Sequence, residues 1–170
     1  MSEEVLEEFD LKTYNTSEEG YQRLLPVVKT CKSFESYVIE LMICISNRLY
    51  TLFRLAGCKL TYESCETLAS ALQTPNSPLR ELDLSYNDLG DRGVELLCVG
   101  LTSPLCNIQT LVLGQCGLTE GCCSDLASVL SSPNSQLKQL QLRDNDLQNS
   151  GVTLLSAELE DPDCKLDTLG

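Results

Sequence analysis

Two aspartates, Asp83 and Asp144, come nearest in this 170-residue chain to the acid–base pair of a hydrolase. A glycosidase of that kind needs two carboxyl groups that face each other across a substrate cleft. Both aspartates fall at surface positions of a sequence repeat, which offers no enclosing cleft. The chain has no histidine, which excludes histidine-based acid–base catalysis, Ser-His and Cys-His pairs and the commonest zinc ligand. We therefore expect no enzymatic activity, no cofactor and no metal site.

Ten cysteines raise the question of disulfides or reactive thiols. The first ten residues, MSEEVLEEFD, are acidic and polar where a secretory signal would be apolar. No Cys-x-x-Cys motif occurs, which argues against a zinc ribbon and against a thioredoxin-type site. We interpret the cysteines as reduced thiols and expect a cytoplasmic location.

The charge balance restricts the class of partner. Lysine and arginine total 12, aspartate and glutamate total 25, and the net charge is −13. Nucleic acids and anionic lipid surfaces are bound by clustered basic residues, so we expect neither a nucleic acid nor a membrane as partner. The acidic balance either serves solubility or indicates a basic protein partner, and the sequence leaves both interpretations open.

One pattern recurs four times at intervals of 29 residues. Its copies are residues 50–60, 79–89, 108–118 and 137–147 (YTLFRLAGCKL, LRELDLSYNDL, IQTLVLGQCGL and LKQLQLRDNDL), and a fifth begins at residue 166. We number the eleven positions from the first residue of each copy. Positions 1, 4, 6 and 11 are mostly leucine, and position 9 alternates between cysteine and asparagine.

The residues at position 9 are predicted to be structural. Nearly half of residues 55–111 are identical to the residue 58 positions further on, and the cysteines follow this double period. Cysteines in register with a repeat indicate small buried packing residues. An asparagine there can bond to backbone groups left unpaired by the turn. The four residues concerned are Cys58, Asn87, Cys116 and Asn145.

Each copy predicts a strand followed by a helix. Leu82 and Leu84 point to one side of the strand, and Glu81, Asp83 and Ser85 point to the other. The apolar residues of the next segment, 90–101, have helical spacing. Stacked units bury each other's leucines, and helices about 10 Å wide beside strands about 4.8 Å apart force the stack to curve. The predicted fold is an α/β solenoid, a horseshoe arc with a parallel β-sheet on its concave face and helices on its convex face.

The chain divides into three predicted segments. Residues 1–33 form an N-terminal flank with a degenerate capping repeat, residues 34–49 an apolar insertion, and residues 50–170 four full repeats and one truncated repeat. The insertion FESYVIELMICISNRL is too short, and too interrupted by Glu40, to cross a membrane. We interpret it as an extra helix of the cap. The alternatives are an exposed surface for self-association, with the repeat faces as a second such surface, and an insertion that perturbs the fold.

These repeats resemble the leucine-rich repeat family, in its ribonuclease-inhibitor-like subtype. Residues 60–97 are similar to the C-terminal repeats of NOD-like receptors, and residues 7–31 to the segment leading into the repeats of the fish-type NACHT-LRR set. Residues 159–169, LEDPDCKLDTL, are similar to the last repeat before a B30.2 module in that set. The nucleotide-binding motif G-x-x-x-x-G-K-[ST] of a NACHT domain does not occur in these 170 residues.

The resemblance implies a non-catalytic protein-interaction module of an intracellular innate immune receptor. Its role would be ligand sensing, autoinhibition or receptor assembly. The alternative is a ribonuclease-inhibitor-like binder of a basic protein partner.

The concave face is the predicted partner-binding surface. Tyr86 and Arg143 are the strongest candidates, because tyrosine and arginine are favoured as binding anchors. The predicted contact residues lie on three neighbouring copies: Arg80, Glu81, Asp83, Ser85, Tyr86, Gln109, Thr110, Val112, Gln115, Lys138, Gln139, Gln141, Arg143 and Asp144.

Overall fold

The computed structural model describes residues 8–10 and 51–170. The expectations for residues 1–33 and 34–49 lie outside the described residues, apart from one strand at 8–10. The elements, in chain order, are β1 (Glu8–Asp10), β2 (Leu52–Arg54), α1 (Tyr62–Leu72), β3 (Glu81–Asp83), α2 (Gly90–Leu101), β4 (Thr110–Val112), a 3-10 turn (Glu120–Cys122), α3 (Cys123–Leu130), β5 (Gln139–Gln141), α4 (Gln148–Leu159) and β6 (Thr168–Leu169).

The six strands form one parallel sheet in sequence order. From β2 onwards each strand pairs with the strand 29 residues later, so that position 4 meets position 4 across the sheet (Phe53, Leu82, Leu111, Leu140 and Leu169). Strand β1 extends the sheet before β2, with Phe9 paired to Phe53. The parallel sheet with its repeated outer helices confirms the predicted leucine-rich α/β solenoid. We refer to residues 50–78, 79–107, 108–136 and 137–165 as coils 1 to 4.

The core runs through the stack between the sheet and the helices. Leucines at positions 4 and 6 are fully buried: Leu82, Leu84 and Leu111 all have 0% of their surface exposed. Leucines on the inner side of each helix, such as Leu68 and Leu97, are 1% exposed. Because every coil contributes the same set, the core is one continuous cluster rather than one core per coil.

Small residues let the helices of neighbouring coils approach closely. A Cβ added at Gly100 of α2 would lie 2.6 Å from the carbonyl oxygen of Ala69 in α1. A Cβ at Gly93 would lie 2.9 Å from the Cβ of Leu89 and 3.1 Å from the Cys65 sulfur. Glycines inside a helix normally weaken it. Here they allow the close contact between α1 and α2.

The turn between strand and helix alternates from coil to coil. Position 8 has a left-handed backbone in all four coils (Gly57, Tyr86, Gln115 and Asp144, φ 50 to 65°). In coils 1 and 3 a second left-handed residue follows at position 10 (Lys59 and Gly117), and the helix starts after an extended threonine. In coils 2 and 4 the second left-handed residue lies at position 12 instead (Gly90 and Gln148). This alternation is the structural counterpart of the 58-residue period.

Helix α3 differs from its expected length. The sequence favours one helix over residues 119–130, but its first turn, Glu120–Cys122, is a 3-10 turn. The Asp91 carboxylate of coil 2 accepts hydrogen bonds from the Thr119 backbone N–H (2.8 Å) and hydroxyl group. The Thr119 hydroxyl oxygen in turn accepts from the Gly121 N–H at 3.2 Å. These contacts at Thr119 account for the tighter first turn.

Candidate functional site

Asn87 lies at the end of β3 and bridges two coils. Its side-chain oxygen accepts a hydrogen bond from the Leu60 N–H of coil 1 (3.0 Å). Its amide nitrogen donates to the carbonyl oxygens of Leu55 in coil 1 (2.9 Å) and Leu84 in coil 2 (2.8 Å). The residue is only 5% exposed, so these backbone groups are shielded from water. Asn87 therefore holds the turn rather than a ligand.

Asn145 repeats the arrangement between coils 3 and 4. It accepts from the N–H groups of Cys116 (2.9 Å) and Leu118 (3.1 Å) and donates to the carbonyl of Leu113 (2.8 Å). The Cys116 sulfur donates to the Leu84 carbonyl of coil 2 (3.2 Å). Position 9 thus links consecutive coils with an amide in one coil and a thiol in the next.

The buried thiols are poor nucleophiles. Burial raises the pKa of Cys65 and Cys98 to about 12 and that of Cys116 to about 11, since a thiolate loses its hydration there. The seven described cysteines from Cys65 to Cys164 are free thiols. A thiol attacks or binds metal as the thiolate, so these groups stay unreactive near neutral pH.

The predicted contact residues divide by exposure. Glu81, Tyr86, Gln115, Lys138, Gln139, Arg143 and Asp144 are exposed, while Arg80, Asp83, Gln109, Thr110, Val112 and Gln141 are half-buried. Ser85 differs from the expectation because it is only 5% exposed. Its backbone N–H is bound by the Asp83 carboxylate (3.0 Å), and its side chain faces Gly114 of the next coil. The chain is already turning at Ser85, so strict alternation ends before this residue.

Two further predicted contact residues, Arg80 and Asp83, form hydrogen bonds within the protein. One guanidinium nitrogen of Arg80 donates to the carbonyl oxygens of Ser77 and Leu79, both at 3.1 Å. Asp83 is the last residue of β3, Asp144 lies beyond the end of β5, and β4 separates the two strands. The Asp83 carboxylate accepts a hydrogen bond from the Ser85 N–H. These contacts do not form a paired-carboxylate centre.

A groove of about 560 Å³ surrounds Tyr86 on the rim of the concave face. It spans coils 1 to 3 and contains two of the predicted contact residues, Tyr86 and Gln115. We call it the Tyr86 groove, and it is lined by Gly57, Lys59, Thr61, Tyr86, Asn87, Asp88, Gln115 and Gly117. Gly57 and Gly117 are among the lining residues, and Tyr86 is 60% exposed.

Sequence reasoning missed most of this groove. Lys59, Thr61, Asp88 and Gly117 come after the strand and were not among the predicted contact residues. They reach the rim because the left-handed turns at positions 8 and 10 redirect the chain. A signal was present in the sequence, since glycine occupies position 8 in coil 1 (Gly57) and position 10 in coil 3 (Gly117).

Within residues 8–10 and 51–170, no helix is long and apolar enough to span a bilayer. The same residues contain no group of three or more histidine, cysteine or acidic side chains arranged to hold a metal ion.

Comparison with known proteins identifies the repeats. A family profile described as "Leucine Rich repeat" matches residues 76–98 and 134–156. The chain is 50% identical over 127 residues to NACHT, LRR and PYD domains-containing protein 3 of Rattus norvegicus, covering 75% of this chain and 12% of that protein. It is 49% identical over 122 residues to NACHT, LRR and PYD domains-containing protein 12 of Homo sapiens, covering 72% of this chain and 11% of that one.

Ribonuclease inhibitor of Mus musculus is 45% identical over 120 residues, covering 71% of this chain and 26% of the inhibitor. The chain therefore spans only a small part of these relatives. Among solved structures, Leiomodin-1 Actin-Binding Site 2 superposes with a TM-score of 0.68 over 82% of this chain and 80% of that one. At 15% identity this likeness concerns the fold alone.

The relatives and the profile agree with the geometry of the repeats. Each 29-residue coil adds one strand and one helix, and the residue at position 9 forms hydrogen bonds to the neighbouring coil. The relatives and the profile also support a protein-interaction module. The chain is built of leucine-rich repeats, and it is similar to the NACHT, LRR and PYD domains-containing proteins and to ribonuclease inhibitor.

Proposed function

We propose that this module binds a protein partner through the Tyr86 groove and the neighbouring residues of the concave face. Tyr86 itself is the observation that carries the proposal. Its φ of +60° is a conformation that costs a bulky residue about 1–2 kcal/mol. Its ring is 60% exposed, so burial within the chain does not repay that cost. Glycine serves at the same position in coil 1 (Gly57), and a tyrosine held there against local preference is suited to anchoring a partner.

The other rim residues suit recognition of a protein surface. Lys59 and Asp88 bring both charges to the groove, and Gln115 adds an amide. Arg143 and Asp144 continue the rim in coil 4, where both are exposed. A mixed polar rim around one aromatic anchor is typical of protein–protein contact surfaces.

We further propose that the module belongs to a cytoplasmic receptor of the NACHT-LRR type and acts in ligand sensing, autoinhibition or assembly. Identities of 49–50% to two NACHT, LRR and PYD domains-containing proteins support this assignment. In this proposal residues 1–33 cap the repeats, and residues 34–49 add a cap helix or a surface for self-association. Sequencing the transcript tests the receptor role. A P-loop motif encoded in frame upstream is expected, and an in-frame stop codon just before Met1 would contradict the proposal.

Site-specific photo-crosslinking tests the binding surface. A photoreactive amino acid at position 86 is expected to trap a partner protein in cells. The same amino acid at Glu66, which is exposed on helix α1, serves as the matched control. Equal trapping from both positions would contradict binding through the concave face.

A ribonuclease-inhibitor-like binder of a basic protein is the second candidate. The 45% identity to mouse ribonuclease inhibitor and the net charge of −13 favour it. The Tyr86 groove counts against it, because Lys59 and Asp88 bring opposite charges to this surface. Calorimetric titration with a pancreatic-type ribonuclease separates the candidates. The first proposal predicts no measurable heat of specific binding, and tight one-to-one binding would establish the second.

A further inference from the structure

Coil 3 crosses the concave face without a charged side chain. Its strand and turn, residues 108–118, contain no lysine, arginine, aspartate or glutamate. Charged residues lie on the coils to either side of it. Glu81 of coil 2 and Lys138 of coil 4 are both exposed. A partner that lies across coil 3 therefore meets an acidic group on one side and a basic group on the other.

Glu81 is an isolated carboxylate. It is the first residue of β3, and its register partners in β2 and β4 are the uncharged Leu52 and Thr110. Within residues 51–170 no basic side chain forms an ion pair with it. The other carboxylate of this strand, Asp83, is half-buried, accepts a hydrogen bond from a backbone N–H and lies across from Arg54 of β2. Glu81 is thus the carboxylate of β3 that can pair with a group outside the chain.

Lys138 is the matching cation on the far side of coil 3. It immediately precedes β5, and the residue at the same position of coil 3 is the uncharged Gln109. Asp167 follows at the same position one coil later, on the side away from Glu81, and no ion pair joins it to Lys138 in the described part of the chain. The arginine at this position in coil 2, Arg80, instead donates to two carbonyl oxygens just before it.

The spacing of the two charges decides which partner backbone can reach both. Strands β3 and β5 are separated by β4 alone, so they lie about 10 Å apart at about 4.8 Å per strand. In an α-helix, residues seven apart are separated by about 10.5 Å and lie on the same face. In an extended strand, residues on one face recur about every 6.8 Å, which gives separations of about 7 or 14 Å. A helix matches the spacing, and an extended segment does not.

We propose that the partner contacts the concave face through an α-helix that lies across coils 2 to 4; this inference rests on the proposed binding through that face. The helix carries a basic residue that faces Glu81 and an acidic residue, seven positions away, that faces Lys138. The helical turn between them presents uncharged residues to Thr110, because coil 3 offers no charge to pair with. Tyr86, at the other end of β3, contacts a different part of the same partner.

Cross-link mapping tests the helical spacing. A photoreactive amino acid is placed, in separate proteins, at Glu81, Thr110 and Gln139, which are register partners in β3, β4 and β5. Mass spectrometry identifies the partner residue that each position captures. We expect the three captured residues to lie in one segment at intervals of three or four, so that the outer two are about seven apart. Intervals of one or two residues, or capture of separate segments, would overturn the proposal.

Charge reversal tests the pairing. Glu81→Lys and Lys138→Glu are each expected to lower the yield of partner trapped from position 86 at least about threefold, since each removes an attraction and introduces a repulsion. Glu66→Lys makes the same charge change on the exposed outer surface of α1 and should leave the yield unchanged. An unchanged yield in either concave-face variant would contradict the proposed charge pairing.

These outcomes differ from failure of the proposed function itself. If position 86 traps no more protein than position 66, binding through the concave face is wrong and the helix proposal is wrong with it. If position 86 traps a partner but the captured residues lack the helical interval, the concave face still binds and only the helix proposal is wrong.

Discussion

Replacing Asn87 by alanine removes the side chain that joins coil 1 to coil 2. The structure gives this amide one accepted and two short donated hydrogen bonds, to the Leu60 N–H and to the Leu55 and Leu84 carbonyls. The amide nitrogen also donates to the Ser85 carbonyl oxygen at a longer distance of 3.3 Å. Alanine would leave three backbone groups at the turn without these partners.

The expected loss follows from the burial of these groups. A buried polar group without a partner costs about 1–3 kcal/mol. The Leu84 carbonyl keeps the Cys116 thiol as a donor, so the two remaining groups would cost about 2–6 kcal/mol, and water entering the space left by the amide reduces the total. We expect Asn87→Ala to lower the free energy of unfolding by about 3 kcal/mol, a large share of the 5–15 kcal/mol typical of a domain.

Urea denaturation followed by circular dichroism measures the change. Asn149→Ala, at an exposed position near the start of α4, serves as the control and should change the free energy of unfolding by less than about 0.5 kcal/mol. Asn145→Ala should cost less than Asn87→Ala, because Asn145 is half-buried in the last complete coil. A loss below about 1 kcal/mol for Asn87→Ala would refute the assignment of position 9 as the link between coils.

The remaining predictions concern helix packing and the thiols. Gly100→Ala should lower the free energy of unfolding by about 2 kcal/mol, because the steric clash of the new methyl group with the Ala69 backbone outweighs the gain in helix propensity. Urea denaturation checks this, with Ser128→Ala as an exposed control. Native protein at neutral pH should react slowly with a thiol reagent at Cys65 and Cys98, while denatured reduced protein should show ten free thiols. Stable disulfides would contradict the proposed cytoplasmic location. The free energy of unfolding should be highest below pH 9 and fall between pH 9 and 12. The thiols of Cys65 and Cys98 ionise near 9.0 in the unfolded chain, whereas burial raises their pKa to about 12 in the folded protein. Unfolding curves measured across this pH range test the sign of the change.

The helices and strands were predictable because the same strand and helix pattern occurs in four copies of the repeat. The helix expected over residues 90–101 matches the bounds of α2, since the apolar residues there follow helical spacing. The exception, the 3-10 turn before α3, depends on the bond between Asp91 and Thr119 of different coils. A contact of that kind has no local signature in the sequence.

The candidate site was only partly predictable. The predicted residues between the leucines included Tyr86 and Gln115 of the groove. Alternation within the strand indicates which side chains leave the core. It failed at Ser85, where the turn has already begun and the side chain is buried. It also missed Lys59 and Asp88, because left-handed turns that depend on the whole coil bring them to the rim.

Hydrogen–deuterium exchange tests the central claim most directly. It is measured on the non-covalent complex of the unmodified protein with the partner that crosslinking from position 86 identifies. The account predicts that the partner slows exchange at residues 57–61, 86–88 and 115–117, and that the outer surfaces of α1 to α4 exchange as in the free protein. Protection confined to the helices, with unchanged exchange around Tyr86, would contradict binding through the concave face.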